Sequence, residues 1–69
     1  MLYIFKTSVK TKPAIQKLAP ELNKLTCIIK WNFDLHDRDH ILRIEATDMN
    51  TNRICELLNN LGFSCIELH

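Results

Sequence analysis

The stretch FKTSVKTKPAIQKL, Phe5 to Leu18, changes character twice. It begins inside LYIFK, an aromatic and β-branched run with the composition of a strand. It then crosses the polar segment TSVKT, which contains no glycine. From Pro13 onward the apolar residues Ile15, Leu18, Ala19, Leu22 and Leu25 recur at steps of three and four, the stripe of an amphipathic helix. Thr11 stands where an N-cap oxygen is needed, and Pro13 falls in the first turn, where a missing amide is tolerated. Pro20 removes the N–H that would bond back to Gln16 and predicts a kink rather than two separate helices. A βα unit therefore opens the chain.

Working outward, TCIIKWNFDL alternates, with Cys27, Ile29, Trp31 and Phe33 on one side and Ile28, Lys30, Asn32 and Asp34 on the other. That pattern is a half-buried strand. HDRDH is a polar connection, after which ILRIEA places Leu42, Ile44 and Ala46 on one face and Ile41, Arg43 and Glu45 on the other. The two strands read as a hairpin. Asn50 is the expected N-cap of a second helix striped by Ile54, Leu57, Leu58 and Leu61, and Gly62 is the residue that lets the chain turn back through positive φ. FSCIELH supplies the last strand, with His69 expected to be a mobile tail.

The order is βαββαβ. Two helices with one apolar stripe each must share one face of a four-stranded antiparallel sheet, which is an α+β, ferredoxin-like sandwich forming one domain over residues 1–69. The other sheet face has no cover. Lys30, Asn32, Arg43 and Glu45 suit solvent there, whereas Ile28 and Ile41 are two apolar positions on the same face. These residues, together with the sheet edges, suggest self-association or docking of a protein partner.

Composition narrows the function classes. The 69 residues are 46% hydrophobic and 25% charged, with one Gly and two Pro, the balance of a soluble folded domain. No apolar run approaches the roughly 20 residues that span a bilayer, and MLYIFK lacks the features of a secretory signal, so a cytoplasmic protein with no membrane contact is expected. Cys27, Cys55 and Cys65 are odd in number and irregularly spaced, which argues against a disulfide framework and for small buried hydrophobes. Residues 1–30 carry six lysines against one acid, net +5, and the remainder three arginines against seven acids, net −4. This asymmetry hints at an interaction surface.

The strand, the polar loop, AIQKLAPEL, the hairpin and a second helix running into LLNNLGFSC together resemble the heavy-metal-associated domain of copper chaperones and metal-transporting ATPases. Nearly the whole chain takes part, and LGF before the last strand is the best local marker. In the register of this resemblance, the family's two metal-binding cysteines fall on Ser8 and Thr11. Soft thiolates suit Cu(I), whereas protonated hydroxyls offer that ion little. The resemblance thus implies a carrier's frame with a degenerate metal loop.

Three other constellations carry expectations. Thr11 is expected to cap the helix, with Lys10 and Lys12 beside its N-terminus as a candidate anion site. Asp34, His36, Asp37 and His40 gather imidazoles and carboxylates in the hairpin connection, a candidate site for a divalent ion such as Zn²⁺, although Asp is also an ordinary turn residue. Tyr3 and Phe5 offer a stacking surface for RNA, but ILRIEA lacks the glycine and aromatics of an RNA-recognition strand, and the near-zero net charge argues against nucleic acid. No nucleophile, phosphate-cradling or zinc-protease motif is present, so no enzyme is expected. The reading that follows is a non-enzymatic interaction or self-associating module, with a divalent-metal protein and a nucleic-acid binder as alternatives.

Overall fold

The computed structural model describes residues 1–68, leaving His69 and the expectation placed on it outside the described residues. The chain runs β1 (Leu2–Thr7), α1 (Lys12–Asn23), β2 (Ile28–Asp34), β3 (Ile41–Ala46), α2 (Thr51–Asn60) and β4 (Cys65–Leu68). The strands lie in the order β2-β3-β1-β4, and every pairing is antiparallel. This is the expected ferredoxin-like sandwich. Among the described residues no helix is long and apolar enough to cross a membrane.

Local rules set the helix ends. Thr11 has extended backbone and its Oγ1 accepts from the Ala14 amide at 3.3 Å, while Asn50 Oδ1 accepts from the Asn52 amide at 3.0 Å. At the far end of α2, the Phe63 amide reaches back to the Leu58 carbonyl and the Gly62 amide to that of Asn59. This paired closure needs a left-handed residue, and Gly62 has φ +94°. Pro20 lies inside α1, which continues through it as one helix.

Both helices cover one side of the sheet. Phe5, Leu42 and Ile44 from the strands meet Leu18 and Leu22 of α1 and Ile54 and Leu58 of α2, all with no exposed surface. Each such side chain contributes roughly 1.5–3 kcal/mol of burial energy, which for so short a chain is most of what opposes unfolding. Trp31 fastens β2 to α1 by donating from Nε1 to Asn23 Oδ1 at 2.9 Å, and its ring meets Phe33 edge-on.

Two expected strand positions are corrected. The pairing of β2 with β3 is interrupted between Ile28 and Lys30, where a bulge inserts one extra residue. Parity shifts there, so Ile28 packs against the core and Ile29 is 64% exposed, the reverse of simple alternation. Ile41 alternates away from the helix-side core as expected, yet it is only 5% exposed. It starts β3 between Asp34 and Lys6, and Lys6 pairs with Asp39 of the preceding connection at 3.6 Å. Ile41 is therefore a buried residue and no docking position.

Candidate functional site

The β1–α1 loop is held from both sides. Thr7 Oγ1 donates to the His40 carbonyl at 2.6 Å and accepts from the Val9 amide at 3.1 Å, and the Val9 side chain is fully buried. Ser8 Oγ accepts from the Ser64 amide at 2.9 Å while the Ser8 amide donates to the Ser64 carbonyl at 3.2 Å. Together with the Thr11 cap, these bonds engage each hydroxyl of the loop in holding the fold. Ser8 joins the loop to the start of β4, and Thr11 closes α1. Lys10 and Lys12 are exposed on either side of the capping residue.

The hairpin connection is built as a turn. Asp34 Oδ1 accepts from the amides of His36 at 3.1 Å and Asp37 at 3.2 Å, and its other oxygen faces Arg43 at 3.6 Å. Asp37 Oδ1 accepts from the Asp39 amide at 2.8 Å. Carboxylates that bond their own backbone in this way shape the loop. His36 is exposed, whereas His40 sits at φ +48° with a buried, unpartnered Nδ1. Among the described residues no group of three or more His, Cys, Asp or Glu side chains is arranged to hold a metal ion.

The uncovered sheet face divides into two halves. Register places Leu2, Ile4 and Lys6 of β1 beside Ile66 and Leu68 of β4 on one half, and Lys30, Asn32, Arg43 and Glu45 on the other. Leu2 is 62%, Ile66 61% and Leu68 41% exposed, so the apolar half is open to solvent. The charged half is internally neutral, because Lys30 pairs with Glu45 and Arg43 with Asp34, each at 3.6 Å. A dent of about 210 Å³ lined by Leu2, Lys30, Trp31, Asn32, Arg43 and Glu45 lies between them. The charge asymmetry of the sequence is partly cancelled across these strands. Tyr3 and Phe5 alternate to the helix side, and Phe5 is fully buried, so the anticipated aromatic stacking surface is not formed by them.

Sequence reasoning missed one pair. Cys55 of α2 and Cys65 of β4 bring their sulfurs to 3.4 Å, while Cys27 directly precedes β2, where its carbonyl accepts from the Thr47 amide at 3.0 Å. Burial, reinforced by the neighbouring Cys55, pushes the Cys65 thiol well above its ordinary pKa, so it keeps its proton at neutral pH. Simple geometry would have signalled the pair. Six residues of helix from Cys55 to Leu61 span about 9 Å, and three strand-like steps from Gly62 to Cys65 return about 10 Å.

No family model and no curated protein matches the sequence. The structure, in contrast, is similar to that of the yeast copper transporter domain CCC2A, solved in solution in its apo and Cu(I)-loaded states, with a TM-score of 0.83. The chain has a heavy-metal-associated-domain-like fold. The match covers 99% of this chain and 94% of the transporter domain at 16% sequence identity, so the two share an architecture while most side chains differ.

Proposed function

We propose that this chain is a non-enzymatic, cytoplasmic interaction module that keeps the copper-domain frame, has lost thiolate metal binding in the β1–α1 loop, and associates with a second copy of itself through the uncovered sheet face. The observation that carries the reading is the apolar half-face of Leu2, Ile66 and Leu68, exposed beside a half whose charges are already paired. Such a surface suits a two-fold contact, because an apolar strip with a neutral polar border can meet its own copy without like-charge conflict. The loop supports the negative part of the reading: Ser8 and Thr11 present hydroxyls that are engaged by backbone amides and have little affinity for a soft ion.

Native mass spectrometry of untagged protein equilibrated with Cu(I) tests both parts together. Metal-free monomers and dimers are expected. Stoichiometric copper retained in a chain whose three cysteines have been replaced by serine, and whose Met1 and Met49 thioethers have been removed by Met→Leu, would overturn the assignment of the loop, since only hydroxyl, imidazole, amine and carboxylate donors would then be left to hold it.

A further inference from the structure

The cysteine pair joins α2 to β4 on the helix side of the sheet, opposite the face that carries Ile66 and Leu68. We propose that Cys55 and Cys65 form an oxidative modification site, at which a low-molecular-mass disulfide such as oxidised glutathione converts the two thiols to an intrachain disulfide that clamps α2 to β4. The sulfurs stand 3.4 Å apart on adjacent elements, against about 2.05 Å in a disulfide, so each needs to move by less than about 1 Å. The elements are already fixed relative to each other by the Gly62 turn, with the Phe63 amide bonded to the Leu58 carbonyl at 2.9 Å. Closure therefore asks for side-chain rotation and little backbone movement.

The order of events follows from access. Cys55 is half-buried and Cys65 is 8% exposed, so Cys55 is the sulfur an oxidant reaches. As a thiolate, Cys55 Sγ attacks one sulfur of oxidised glutathione and expels a glutathione thiolate, which takes a proton from water. Cys65 then gives its proton to solvent and attacks the Cys55 sulfur of the mixed disulfide, expelling the second glutathione. Two protein thiols lose two electrons and two protons, and one oxidised glutathione becomes two reduced molecules. Because the buried Cys65 thiol holds its proton tightly, the second step accelerates as pH rises. The clamp acts on a four-residue edge strand that, among the described residues, pairs with β1 alone and carries Ile66 and Leu68 on its opposite face.

The full chain incubated with oxidised glutathione, alkylated and cut with trypsin provides the test. Cleavage after Arg53 leaves both cysteines in the peptide 54–69, while Cys27 falls in the peptide 25–30. Peptide 54–69 is expected to lose the mass of two hydrogens and to resist alkylation, and the oxidised protein to melt at least about 5 °C higher than the reduced one. In Cys65→Ser the reaction should stop with glutathione attached to Cys55. Wild-type peptide 54–69 that keeps both thiols, stably carries glutathione on Cys55 beside a free Cys65, or is cross-linked to the Cys27 peptide would overturn the inference.

Discussion

Ile41→Glu is expected to unfold a large fraction of the protein, although simple alternation puts residue 41 on the side of the sheet without helices. The side chain is 5% exposed, so the substitution removes a buried apolar group and puts a carboxylate in its place. Losing the aliphatic contacts costs about 2–5 kcal/mol, and an imperfectly paired buried charge adds to it. Lys6, the cross-strand neighbour, is already engaged by Asp39, while Asp34 on the other side is a like charge. A chain of this length has a total stability of about 3–10 kcal/mol, so a loss of about 4 kcal/mol removes much of it. Ile29→Glu makes the contrast, since Ile29 lies in the bulge with 64% exposure and its replacement should shift stability by less than about 0.5 kcal/mol. Urea unfolding followed by circular dichroism measures both. An unfolded Ile29→Glu would mean that β2 keeps uninterrupted alternation, and a fully folded Ile41→Glu that residue 41 is open to solvent.

The second large effect is a gain. Ser8→Cys combined with Thr11→Cys should raise Cu(I) affinity by several orders of magnitude, because two thiolates replace two protonated hydroxyls at the ends of one short loop. Stability is expected to move the opposite way without metal. The new side chains surrender the Ser8 bond to the Ser64 amide and the Thr11 bond to the Ala14 amide, and the cap alone is worth about 1 kcal/mol. Adding Cu(I) should then restore and exceed the native melting temperature, since a ligand that binds only the folded chain stabilises it by mass action. Chelator competition on this variant, made in a chain with Cys27, Cys55 and Cys65 changed to serine, isolates the loop. An affinity no higher than that of the same serine-substituted chain with its native loop would show that residues 8 and 11 are not the positions from which this fold holds copper.

The parts of the fold legible in the sequence are those governed by neighbours along the chain. Thr11, Asn50 and Gly62 mark element ends through bonds made within a few residues, and the two helical stripes leave one sheet face to cover. What escaped depends on tertiary placement. The bulge at Ile28 to Lys30 has no composition signature, because Ile28 and Ile29 are identical residues and only pairing with Ala46 and Glu45 decides which one turns inward. Ile41 escapes for a related reason: alternation reports the face of a strand but not how much of that face the folded chain buries. Of the candidate site, the hydroxyl residues Ser8 and Thr11 of the β1–α1 loop are visible in the sequence, whereas their structural hydrogen bonds to Ser64 and Ala14 belong to the folded chain. The apolar face is anticipated in kind and misplaced in position, since β1 and β4 supply it through Leu2, Ile66 and Leu68.

Association through that face is the central claim, and sedimentation equilibrium of the native chain beside Ile66→Glu tests it most directly. Ile66 is 61% exposed on the edge strand, so a glutamate there leaves the core under the helices intact while placing two like charges near each other in a two-fold contact. The native chain should show a reversible, concentration-dependent rise toward the dimer mass across the micromolar range, and Ile66→Glu should stay at the monomer mass with an unchanged melting temperature. A native chain that remains strictly monomeric at high micromolar concentration, or a dimer that Ile66→Glu leaves untouched, would contradict it.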